Sequence, residues 1–128
     1  MRRRVSPSTA VVCDLVAVLV FVAIGRASHD EPFSPSGFAE TAWPFLAGAA
    51  LGWLFVFGYA RLTATEFAPG AILPSGVVIW VTTVIAGMLL RSASDQGIAA
   101  SFIVVASIAT AVLLLGWRAV AAGLNRRR

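Results

Sequence analysis

Residues Thr9 to Arg26 read TAVVCDLVAVLVFVAIGR, an apolar run interrupted only by Asp14. A bilayer-crossing helix needs about 20 mainly apolar residues, within a range of roughly 17 to 25, so this run reads as a span. Its reading decides the fold because a cleaved secretory leader begins the same way, with a basic stretch such as Met1 to Arg4 followed by an apolar one. Two residues argue against the leader. Asp14 breaks its apolar region, and Arg26 spoils the small-residue pattern that cleavage requires. Nor does the arginine pair carry the flanking pattern of a twin-arginine signal.

Three more runs qualify, giving spans at about 9–26, 41–60, 72–90 and 98–120. The chain of 128 residues is 59% apolar and only 12% charged, against roughly 25% charged in soluble domains, and its mean hydropathy is +0.86. An ordinary soluble fold is excluded. The connections between spans are short, so the expectation is one all-α polytopic domain over 1–128, four transmembrane helices in two hairpins. Ser8 and Thr9 are candidate caps for the first helix and Thr41 for the second, with Pro44 in its first turn. Pro69-Gly70 and Pro74 mark the entry to the third.

All ten basic residues are arginine, and the net charge is +4. Arg2, Arg3, Arg4, Arg61, Arg118, Arg126, Arg127 and Arg128 fall on one side of the four spans, and Arg26 and Arg91 on the other. By the positive-inside rule both termini are expected in the cytoplasm, in a multi-pass protein of the plasma membrane. The same distribution argues against nucleic acid as a partner, since no basic face with accessible aromatics is formed.

The halves of the chain share features at an offset near 64. Arg-x-x-x-Asp recurs as Arg26 with Asp30 and Arg91 with Asp95, and Gly-Trp recurs at Gly52-Trp53 and Gly116-Trp117. Two spans per unit would make a parallel repeat. At i, i+4 on a continuing helix, each arginine is expected to reach its aspartate near the outer interface. Helices in lipid associate through small residues. Gly48 and Gly52, then Gly76, Thr83 and Gly87, then Ala100, Ser107 and Ala111 each lie on one helix face, so close contacts are expected within or between chains.

Asp14 is the leading functional candidate, because an ionisable side chain inside a span is costly and is functional by default. It lies shallow in the first helix, where the helix dipole favours a negative charge, and its expected partner is Arg61 or Arg118. Trp43 and Trp117 read as interfacial anchors. Trp53 and Trp80 lie deeper, each eight residues from the inner end of its span. With Asp14 and the pair Thr82 and Thr83 they form a candidate proton or substrate site, against the plainer reading of bulky side chains filling gaps opposite glycines. Cys13, the single cysteine, reads as a small packing residue. His29-Asp30-Glu31 reads as a solvated loop, no metal site is expected, and no cofactor-binding motif is present. No catalytic motif is present either, so an enzyme is not expected.

Asp14, Gly25-Arg26-x-Ser28-His29, Trp43-Pro44-Phe45, Gly52-Trp53, Gly87-Met88-Leu89-Leu90-Arg91, Ser101-Phe102 and Gly116-Trp117-Arg118 together resemble a family of small four-span bacterial and archaeal membrane proteins known only as a domain of unknown function. The resemblance covers nearly the whole chain and implies a four-helix membrane domain without an assigned activity. The functional expectation is a non-enzymatic membrane protein, a homo-oligomer or an accessory subunit of a membrane complex, whose partners are the lipid bilayer and other membrane chains. The alternatives are a small proton-coupled permease using Asp14, or a lipid-carrier flippase. In size and in carrying one acid in its first helix, the chain is similar to the small multidrug exporters. It departs from them in using aspartate instead of glutamate and in its arginine-rich ends.

Overall fold

The computed structural model describes residues 4–28 and 34–127 and contains four long helices and no strand among them. They are α1 (Pro7–Ser28), α2 (Pro35–Thr63), α3 (Val77–Ala93) and α4 (Ala100–Arg126), with one π-helical turn, Ile72–Gly76, leading into α3. Each is long and apolar enough to cross a membrane, the third counted together with its π turn. The chain is therefore an all-helical, multi-pass membrane protein.

The largest departures from the expected boundaries are six residues each: α4 runs to Arg126, past the expected end at 120, and α2 starts before Thr41. The segment Pro35-Ser36-Gly37-Phe38-Ala39-Glu40 is too polar to count as bilayer-spanning, but it carries its own start signal. Ser34 has extended backbone, its hydroxyl accepts from the Gly37 N–H at 3.1 Å, and Pro35 supplies a preset first helical residue. Thr41 is consequently not a cap. Its hydroxyl donates back to the Gly37 carbonyl at 3.0 Å and accepts from Arg26 at 2.9 Å.

Pro44 thus lies inside a helix and not in its first turn. A helical proline has no N–H for the carbonyl four residues before it, here Glu40. That carbonyl accepts from the Gln96 side chain at 3.1 Å, so the α3–α4 connection is tied to α2 at the point where the helix ladder is broken.

Packing is closest between α2 and α3. A Cβ on Gly48 would lie 2.9 Å from the Thr83 carbonyl oxygen, and one on Gly52 would lie 2.9 Å from the Ile79 Cα. Only glycine lets the two backbones approach this far. The Gly48 and Gly52 face and the α3 face bearing Thr83 therefore meet within one chain. Gly87 accommodates the Phe45 ring in the same way. The core continues through Phe21, Phe45, Ala106 and Leu114, with Phe21 and Phe45 edge to face at 5.0 Å. Arg4 and Arg126 line one cavity with Ala68, so both terminal segments and the α2–α3 connection share one end of the bundle.

Candidate functional site

A buried cluster near this terminal end draws on α1, α2, α4 and the α2–α3 connection. Asp14 of α1 is 2% exposed and Arg118 of α4 is 0% exposed. The two form a bidentate pair, Arg118 Nη1 to Asp14 Oδ1 and Nη2 to Oδ2, both 2.7 Å. Trp53 of α2 donates its indole N–H to Oδ2 and Trp117 of α4 donates to Oδ1, both at 2.9 Å. The carboxylate thus accepts four hydrogen bonds, which fills its four lone-pair directions.

The guanidinium is equally filled. Nη1 also donates to the Leu114 carbonyl at 2.8 Å, and the Pro69 carbonyl accepts from Nε at 3.1 Å and from Nη2 at 2.9 Å. All five N–H groups of Arg118 are used. Pro69 reaches it because the α2–α3 connection folds inward. Pro69 is itself fully buried, and the connection is braced by Ser75 Oγ donating to the Ala68 carbonyl at 2.7 Å. Gly76 makes room for the arginine stem, since a Cβ there would lie 2.8 Å from Arg118 Cδ. The Arg118 guanidinium carbon also lies 4.4 Å from the centroid of the Trp117 ring.

An unpaired charge in a low-dielectric interior is strongly unfavourable, and a charge pair is tolerated when every remaining donor and acceptor is also satisfied. The cluster meets that condition. It is a closed clamp joining α1, α2, the α2–α3 connection and α4.

Of the two expected partners of Asp14, the structure selects Arg118. Arg61 falls in the last turn of α2, exposed, 6.0 Å from the Phe57 ring centroid. Trp53 joins the site, but Trp80 does not. Its indole donates to the Ser107 carbonyl of α4 at 3.0 Å. Thr83, fully buried, returns its hydroxyl to the Ile79 carbonyl at 2.6 Å and serves the α2–α3 crossing. Trp117, read from sequence as an anchor, is a ligand of the carboxylate. Its position beside Arg118 was the available signal. Nothing in the sequence pointed to the Pro69 carbonyl, and Gly76 stood out only as one of the small residues expected at a close helix contact.

The opposite end is built differently. Arg91 does not pair with Asp95. The i, i+4 geometry needs a continuing helix, but α3 stops at Ala93 and the chain turns through left-handed backbone at Asp95 (φ 61°) and Gly97 (φ 82°). Arg91 instead donates to Gln96 Oε1 and the Gln96 carbonyl, each at 3.1 Å, and to the Gly97 carbonyl at 3.2 Å. Its guanidinium carbon lies 4.4 Å from the Phe102 ring centroid. Arg26 donates to the Gly37 carbonyl at 3.1 Å and to Thr41 Oγ1 at 2.9 Å. Its expected partner Asp30 lies outside the described residues, as do His29 and Glu31. Both arginines border one cavity of about 800 Å³. No cluster of metal-ligating side chains occurs among the described residues.

Comparison with curated proteins and with solved structures returns no match. A family model does match, over residues 11–121, a stretch that opens three residues before Asp14 and closes three after Arg118 and so contains the whole clamp. The chain belongs to the family described as Protein of unknown function (DUF3054).

Proposed function

We propose that the chain is a non-catalytic protein of the plasma membrane, with both termini in the cytoplasm, that acts as an assembly module and packs against a second copy of itself through α4. The observation that carries this reading is the closure of the clamp. A carboxylate that exchanges protons with a transport pathway needs a route to water and a free acceptor direction. Asp14 is 2% exposed and spends all four directions on Arg118, Trp53 and Trp117. It is suited to fixing helix positions.

The choice of α4 rests on its glycines. Gly116 and Gly123 lie seven residues apart on one helix face, and no atom of the described residues approaches within 4 Å of where either Cβ would be. Glycine inside a helix is less favourable than alanine by about 1 kcal/mol, and none of the described residues requires it here. A small-residue face is self-complementary across a two-fold axis, because each backbone meets the other. Exposed Val112 and Val120 lie on the same side.

The test has two arms. In reconstituted vesicles carrying a pH-sensitive dye, Asp14→Asn is expected to lower thermal stability and leave proton flux unchanged; proton flux that depends on Asp14 would establish the permease reading instead. In native mass spectrometry from mild detergent, a dimer is expected that dissociates in the Gly116→Leu, Gly123→Leu double variant. A stoichiometric foreign subunit in place of the second copy would assign the chain to a hetero-complex.

A further inference from the structure

Past Gly123 the small-residue face of α4 turns basic. Arg126 and Arg127 follow that glycine by three and four residues, which sets one on either side of the line through Gly116 and Gly123. The register holds to the end, because Arg127 keeps right-handed backbone and its N–H donates to the Leu124 carbonyl at 3.3 Å. Both side chains are exposed, and neither has a hydrogen-bond or ion-pair partner among the described residues. α4 has 27 residues, about 40 Å at 1.5 Å per residue. A bilayer is about 40 to 45 Å thick with its headgroups, around a hydrocarbon layer of about 30 Å. A helix of this length centred in it carries its last turn to the level of the lipid phosphates.

Self-association through α4 brings these arginines together. Two copies inserted the same way are related by a two-fold axis along the membrane normal, so each residue near the contact line meets its own counterpart. The arginine pairs of the two copies then gather around one axis, and α4 contains no acidic residue to offset them. The rest of the terminal end supplies none either. Asp14 is spent in the clamp, and Glu66 pairs with Arg4. Asp30 and Glu31 belong to the α1–α2 connection, and Glu40 and Asp95 line the cavity at the opposite end. The undescribed residues next in sequence, Met1, Arg2, Arg3 and Arg128, add no acidic side chain. Like charges held this close repel, so the apolar contact is opposed at its terminal end unless an anion stands between the copies.

We propose that the α4 pair is completed by an anionic phospholipid of the phosphatidylglycerol type, whose phosphodiester is held between Arg126 and Arg127 of the two copies; this rests on the self-association through α4 proposed above. The guanidinium fork fits phosphate oxygens, and the phosphate stands at the depth where α4 ends. A zwitterionic lipid offers the same phosphate but brings its own cation, so it leaves the convergent positive charge in place. The dimer is thereby sensitive to the anionic lipid content of the leaflet that faces the termini.

The test uses the full chain in mild detergent at low salt, titrated with phosphatidylglycerol or phosphatidylcholine of identical acyl chains, with native mass spectrometry reporting both the dimer fraction and the lipid bound to it. Phosphatidylglycerol is expected to tighten the dimer about tenfold, as one net charge-assisted contact would, and to travel with the dimer peak, whereas phosphatidylcholine changes neither. The Arg126→Gln, Arg127→Gln double variant should dimerise without phosphatidylglycerol and no longer respond to it. That outcome is a gain, which misfolding cannot imitate. A dimer indifferent to the two lipids, an arginine variant that still requires phosphatidylglycerol, or equal promotion by soluble glycerophosphate would overturn the lipid proposal and leave the α4 contact standing. A chain that stays monomeric with every lipid, or a lipid-dependent dimer that survives Gly116→Leu, Gly123→Leu, would overturn both.

Discussion

Arg118 and Arg91 are the same residue under two regimes. Arg118 is withdrawn from solvent and has a carboxylate, two carbonyls and all five of its N–H groups in use. Arg91, at the other end of the bundle, is half-buried and rests on three neutral oxygens and a ring face. The difference shows how depth decides what a charge needs. Where water is excluded a guanidinium requires an opposite charge and full hydrogen bonding. Where water still reaches, neutral acceptors suffice.

The sharpest way to break this comparison is to remove each guanidinium. Arg118→Met leaves the Asp14 carboxylate buried with only two indole donors, so destabilisation of about 3 to 5 kcal/mol is expected. Arg91→Met should lose far less in the same thermal or denaturant melts in micelles. If the single Arg118 variant does not fold, the Asp14→Leu, Arg118→Met pair decides the point. An apolar replacement of both partners should recover most of the stability, because the penalty lies in the orphaned charge. Equal losses at the two arginines would erase the contrast.

A smaller effect tests the space around the clamp. Gly76→Ala places a methyl 2.8 Å from Arg118 Cδ and 3.0 Å from Leu115, and overpacking of this kind costs about 1 to 3 kcal/mol. Gly58→Ala, whose Cβ meets nothing within 4 Å, should be neutral or slightly stabilising in the same assay. Smaller again are Trp53→Phe and Trp117→Phe. Each keeps a ring but removes one donor to Asp14, for about 1 to 2 kcal/mol. Unequal losses would show which indole the carboxylate depends on.

The legible parts of the fold were those that depend on one helix at a time. Four apolar runs of spanning length stand out from composition, and Asp14 stands out because acids are rare in spans. The start of α2 was hidden because Pro35 to Glu40 is helical without being apolar, although Ser34-Pro35 was a readable start signal. The site was half legible. Asp14 and Arg118 could be matched by charge and depth, but Trp53 and Trp80 have equivalent depths. Only the rotation of α2 and α3, set by glycines meeting backbone, sends one indole to Asp14 and the other to Ser107. The Pro69 carbonyl was out of reach, since any backbone carbonyl is an equal candidate until the connection is seen to fold inward.

The smallest expected effect bears on the Arg-x-x-x-Asp repeat. Sequence spacing pairs Arg91 with Asp95, whereas the turn after Ala93 separates them and gives the arginine to Gln96 and Gly97. Asp95→Asn keeps the turn, because both residues tolerate the left-handed conformation that φ 61° requires. It removes only an exposed charge, so the melting midpoint should stay within about 3 °C of the parent. A larger drop, absent in the Arg91→Gln background, would mean that the two side chains do pair. The end opposite the termini would then use the terminal end's solution, an arginine neutralised by its own aspartate.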